Sequence, residues 1–115
     1  MKNISKDMIR GATDGIVLNI LSQGDSYGYK MVQQVKELSG GEYELNEATL
    51  YTVFRRLVKQ NLIVGYYGNE TQGGRRKYYQ ITAQGKAVLE EYKAEWIFAQ
   101  KIITKLIMGD LNDDK

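Results

Sequence analysis

Apolar residues recur at helical spacing in four stretches of the chain, with one extended region between the third and the fourth. From Ser5, placed to cap a helix N-terminus, to Ser22, the side chains of Ile9, Ile16, Val17, Ile20 and Leu21 fall at helical spacing, and Gly24-Asp25 marks the stop. Ser26 stands where it can cap a second helix over about 27–38, whose Met31, Val35 and Leu38 repeat at i, i+4 and i+7 before Gly40-Gly41 ends it. Asn46 caps a third helix from Glu47 to Gln60, with Leu50, Val53, Phe54, Leu57 and Val58 as its buried stripe.

Past Asn61 the period changes. Leu62 to Tyr67 and Lys77 to Thr82 are rich in β-branched and aromatic residues, with Gly68, Asn69, Gly73 and Gly74 between them, the pattern of a β-hairpin with a glycine-rich tip. Tyr66, Tyr67, Tyr78 and Tyr79 read as cross-strand pairs in this hairpin rather than as base-stacking platforms, because alternate strand residues must cover the core. Helical spacing returns from Thr82 for about 25 residues, until Gly109-Asp110. The expected fold is mainly α with a two-stranded β wing (α+β). A winged helix-turn-helix occupies residues 1–82, a long dimerisation helix residues 83–108, and a flexible tail residues 109–115.

Composition narrows the chemistry. The 115 residues are 43% hydrophobic and 26% charged, which fits one globular domain, and they include no His, no Cys and no Pro. That removes Cys/His zinc sites, His-activated nucleophiles, disulfides and thiol redox chemistry. Carboxylates, Lys and Tyr remain, with no convergent pair visible, so neither an enzyme nor a cofactor or metal is expected. The longest apolar runs are as short as Leu62-Ile63-Val64, and Met1 to Ser5 lacks the apolar stretch of a signal peptide. A soluble, cytoplasmic chain without membrane contact is the expectation.

Charge is uneven along the chain. Residues 1–47 carry five basic and seven acidic side chains, a net of −2, and residues 86–115 a net of −1. Between them, Arg55, Arg56, Lys59, Arg75, Arg76 and Lys77 face Glu70 alone, a net of +5. Clustered cations of this kind mark a polyanion footprint or a solvated face. On the third helix, Ala48, Thr52, Arg55, Arg56 and Lys59 lie on or near the side opposite the apolar stripe. Small residues there let a helix approach base edges, Thr49 and Thr52 can contact bases or phosphate, and an arginine can reach guanine bidentately. Gln72-Gly73-Gly74-Arg75-Arg76-Lys77 sets three cations behind two glycines, a backbone able to follow a phosphate chain.

The last helix makes a different demand. Leu89, Tyr92, Trp96, Ala99, Ile103 and Leu106 follow one another at intervals of 3, 4, 3, 4 and 3, the alternation of a heptad seam. A helix of about 37 Å is too long for so small a body to cover, so the seam should meet a second copy, helped by Ile4, Met8 and Ile16 from the first helix. Trp96 serves there either as an interface anchor or as a stacking surface for a flat aromatic ligand.

Several short motifs combine: Ser26-Tyr27-Gly28-Tyr29, Ala48-Thr49-Leu50-Tyr51 leading to Arg56-Leu57 and Leu62-Ile63, then Gly74-Arg75-Arg76-Lys77-Tyr78-Tyr79 and Thr82 with Gly85. In these the chain resembles the PadR family of transcriptional regulators, in its small subfamily with one C-terminal helix, over about residues 8–107. The resemblance implies a homodimeric winged-helix repressor of its own gene or of a nearby transporter or stress operon. Its partners would be pseudo-palindromic double-stranded DNA and a second copy of itself. Together with the exposed face of the third helix and the cationic wing, it points to Ala48, Thr49, Tyr51, Thr52, Arg55, Arg56, Lys59 and Gln72 to Lys77 as the DNA contacts. Similarity to a multidrug-sensing member of the subfamily through Asn46 to Tyr51, Gln72 to Tyr79 and Trp96 further implies a planar aromatic effector at the dimer interface, with Trp96, Met8, Ala99 and Gln100 as its contacts. A winged helix used only for protein association is the rival from another class.

Overall fold

The computed structural model describes residues 4–69 and 75–111. In chain order it contains α1 (Lys6–Ile9), a 3-10 turn (Arg10–Ala12), α2 (Thr13–Ser22), β1 (Ser26–Tyr27), α3 (Gly28–Leu38), α4 (Glu47–Lys59), β2 (Ile63–Tyr67), β3 (Lys77–Ile81) and α5 (Ala83–Met108). The sheet is antiparallel with β3 in the middle, in the order β1-β3-β2.

α1 and α4 begin on side-chain caps, and α3 and α4 end on local turns. Ser5 Oγ accepts from the Asp7 and Met8 N–H groups, and Asn46 Oδ1 accepts from Thr49 N–H at 3.1 Å. At the end of α4, Asn61 adopts φ 64°, its N–H reaches the Val58 carbonyl, and Leu62 N–H reaches back to Leu57. This pair of bonds satisfies the last carbonyls and turns the chain directly into β2. Gly40, at φ 66°, closes α3 in the same way.

The core lies where α2, α3, α4, the inner face of the sheet and the start of α5 meet. Val17, Leu18, Met31, Leu50, Phe54, Leu57, Ile63 and Leu89 are buried there, and Tyr79 stacks on Phe54 with ring centroids 4.0 Å apart.

Four features differ from the sequence expectation. The first helix is broken by the 3-10 turn at Arg10–Ala12, whose centre is Gly11, a poor helix former. Ser26 does not cap α3: it is fully buried in β1, and its Oγ donates to Gln34 Oε1 at 2.6 Å. Extended Tyr27 takes the N-cap position instead. Because Ser26 and Tyr27 pair with Tyr79 and Tyr78, the sheet has three strands rather than two. Finally, Leu38 and Val58 are exposed, each sitting in the last turn of its helix, beyond the reach of the core.

Candidate nucleic-acid interface

α4 is held from beneath by Leu50, Val53, Phe54 and Leu57, which leaves Ala48, Thr49, Thr52, Arg55 and Lys59 exposed on its outer surface. Thr52 Oγ1 donates to the Ala48 carbonyl at 3.1 Å and accepts from Arg55 Nη2 at 3.3 Å, so the guanidinium is drawn along the outer face of the helix. The N-terminus of α4, with its surplus of N–H groups, lies at the Ala48 end of this surface.

Two of the expected contacts do structural work. Arg56 leans off this surface to pair with Asp14 of α2, Nη2 to Oδ1 and Nε to Oδ2, and the hydrogen bond to that carboxylate pushes the guanidinium pKa further up. Tyr51 lies across the start of α3: its Oη occupies the space that a Cβ on Gly28 would need, and its ring meets Phe54 edge-on. Gly28 and Tyr51 are therefore a matched pair joining the two helices of the helix-turn-helix.

The wing leaves the body as β2 and β3. Lys77 opens β3 opposite Tyr67, at the end of the hairpin away from the body, with Arg75 and Arg76 just beyond it toward the tip, whereas Gln72, Gly73 and Gly74 lie outside the described residues. The Lys77 ammonium sits 5.3 Å from the Tyr67 ring centre, and the Arg76 guanidinium 4.8 Å from that of Tyr27. Tyr66 and Tyr78 face each other across the strands and stack at 5.7 Å, and Tyr78 meets Tyr27 edge-on at 5.2 Å. The tyrosine ladder is thus built from cross-strand pairs, except that Tyr67 opposes Lys77 and Tyr79 opposes Gly65 while packing inward. Tyr66 Oη and Gln80 Nε2 both donate to Asp25 Oδ2, which ties both wing strands to the turn after α2. That bond to the carboxylate raises the Tyr66 pKa to about 12. No spacing in the sequence points to Asp25 or Asp14 as partners, because each of those contacts joins segments more than forty positions apart; Gln34 meets Ser26 across eight positions, but only because Ser26 sits in a strand rather than at a helix cap.

The long helix starts with Thr82 Oγ1 accepting from Gly85 N–H at 2.9 Å. Its first turns belong to the core: Leu89 is buried, and Tyr92 is half-buried with its Oη donating to the Gly11 carbonyl and its pKa raised by burial. Further along, Trp96, Ile97, Phe98, Ile103, Leu106 and Ile107 are all exposed. The heptad seam therefore divides, with Leu89 and Tyr92 turned to their own body and Trp96, Ile103 and Leu106 to solvent. An apolar groove of about 480 Å³ runs between α1, α2 and α5, lined among others by Ile4, Met8, Ile16, Tyr92 and Trp96. Ala99 and Gln100 do not line it. Among the described residues no group of His, Cys, Asp and Glu is placed to hold a metal ion, and no helix is long and apolar enough to cross a membrane.

Comparison with known proteins agrees with this architecture. A transcriptional regulator from Clostridium thermocellum is 42% identical, covering 89% of this chain and 96% of its own, and superposes with a TM-score of 0.82. A PadR family transcription regulator from Clostridium difficile is 39% identical, with 84% and 98% covered and a TM-score of 0.72. Transcriptional regulator YqjI of Escherichia coli is 32% identical over 80 residues, which are 70% of this chain and 37% of that protein. Residues 17–91, from α2 to the first turns of α5, match the model of the transcriptional regulator PadR-like family. The winged body, the cationic α4 and the long terminal helix are thus those of a transcriptional regulator and not an enzyme, and the chain belongs to the PadR-like family.

Proposed function

We propose that the protein is a homodimeric repressor in the cytoplasm that reads a pseudo-palindromic operator with α4 and clamps the flanking phosphates with its wing. The observation that carries this reading is the outer face of α4, where small side chains and the Thr52-steered Arg55 stand exposed at the end of a helix whose other face is fixed in the core. Base readout falls to Arg55 with Thr49 and Thr52, and phosphate attraction to Lys59, Arg75, Arg76 and Lys77. In this division of labour residues 1–82 read DNA, the exposed length of α5 joins two copies, and the recognition helices stand about 34 Å apart, one helical turn of DNA.

Arg55→Ala and Arg76→Ala test the division. The first should weaken binding by roughly 1–3 kcal/mol and relax the base preference; the second should weaken it for every sequence and flatten its salt dependence. Equal losses with unchanged preference in both variants count against it.

The groove supports a second element of the reading, an effector site. Its apolar walls and Trp96 suit a planar aromatic compound, which would relieve repression by favouring a dimer whose recognition helices no longer match the operator. Quenching of the sole tryptophan by such compounds is the expected result, with their binding, read by calorimetry, lost in Trp96→Ala. Absence of quenching across a varied panel assigns Trp96 to packing alone.

A further inference from the structure

The long helix rests on its own body at two glycines. Gly85 lies against the Leu62 carbonyl, so close that a Cβ would collide with backbone. Two turns later the Tyr92 ring lies over Gly15 of α2, where a Cβ would fall 2.6 Å from two ring carbons, and Tyr92 Oη donates to the Gly11 carbonyl. Past this point α5 turns its large apolar side chains to solvent, Trp96, Phe98 and Leu106 among them. The molecule extends 70 Å along its longest axis.

We propose that the packing of Tyr92 on Gly15 is the joint that sets which separation of DNA half-sites the protein accepts, with Tyr92 a positioning residue for that specificity. The inference rests on the dimeric, DNA-reading function proposed above. Gly85 cannot move toward the sheet because backbone blocks it, so it is the pivot about which α5 tilts. At the helical rise, Tyr92 lies about 10 Å from that pivot and Met108 about 34 Å. A displacement of about 1 Å at Tyr92 therefore becomes about 3 Å at the far end, comparable with the step of about 3.4 Å between base pairs. A partner bound along the distal half carries its own α4 with it, and twofold symmetry repeats the shift in the other protomer. Gly15 and the bond to Gly11 fix the height of the ring above α2, and with it the angle of the arm.

The test uses the full chain and half-sites selected by the parent protein from a random duplex pool. These are presented as duplexes whose half-site separation changes in single base-pair steps, with affinity read by fluorescence anisotropy and mass by sedimentation. Ordinary carbon contacts lie at about 3.5–4.0 Å, so Gly15→Ala displaces the ring by about 1 Å and should move the preferred separation by about one base pair. Tyr92→Phe keeps the ring and loses the bond to Gly11, so it should broaden the preference while leaving affinity for one isolated half-site unchanged. Should Gly15→Ala not fold, as judged by circular dichroism, Tyr92→Phe decides alone. Variants that remain dimeric and reproduce the parent's spacing profile overturn the joint and leave the dimeric reading intact. A parent that is monomeric, or indifferent to spacing, overturns both.

Discussion

Single side chains fix the outer face of α4. Thr52 steers Arg55 outward along α4, while Asp14 draws Arg56 away from it, so neighbouring arginines take different work from partners that lie 3 and 42 positions away. Asn46 satisfies the Thr49 N–H at the start of the same helix. Asn46→Ala should cost about 1 kcal/mol in denaturant unfolding with an unchanged slope, because a cap is lost and no cavity forms. Asp25 draws Tyr66 and Gln80 together, and holding the phenol protonated up to about 12 has a direct consequence. A raised folded pKa contributes stability that is complete below the ordinary tyrosine value near 10 and fades as pH climbs toward 12. In an ultraviolet pH titration the last tyrosine to ionise should therefore vanish in Tyr66→Phe; persistence of that phase assigns it to another tyrosine.

At the scale of elements, what was legible in the sequence is what local chemistry decides. α4 follows from its cap, its stripe and the Asn61 turn, and α5 from Thr82 to Gly109, since each signal is contained within a few residues. β1 was not legible. Two residues, Ser26 and Tyr27, carry no period, and Ser26 before a helical pattern resembles a cap; only pairing with β3, some fifty positions away, makes it a strand. The break at Arg10–Ala12 was likewise hidden, because the apolar spacing continues through it while the Gly11 carbonyl is taken up by Tyr92. For the site, the cationic outer face of α4 was readable from helical phase alone. The structural contacts that Arg56 and Tyr51 also make were not, since both partners lie on other helices. The junction between sheet and α5 gives an element-level prediction: Gly85→Ala, forced against the Leu62 carbonyl, should destabilise the fold by roughly 2 kcal/mol or more, measured as a lowered thermal midpoint.

The whole molecule is a small winged-helix body with a long arm whose outer half is uncovered. Trp96, Phe98, Ile103, Leu106 and Ile107 are each half or more exposed, an apolar outer arm of the kind that marks an interaction surface, and Trp96 also lines the groove beside Met8 and Ile16. Ile103→Glu should therefore yield a folded monomer by sedimentation, with operator affinity reduced by a factor of about 100 through loss of the second reading head. A variant that stays dimeric places the interface elsewhere. Sequence-specific reading of DNA through α4 is tested by a fluorescence-anisotropy titration against duplex DNA from upstream of the protein's own gene, with scrambled competitor, at two salt concentrations. Tight binding that survives both competitor and higher salt is expected, weakened by roughly 1–3 kcal/mol in Arg55→Ala. Binding that competitor removes, or that disappears with salt, would contradict that reading and reduce the cationic surface to a nonspecific one.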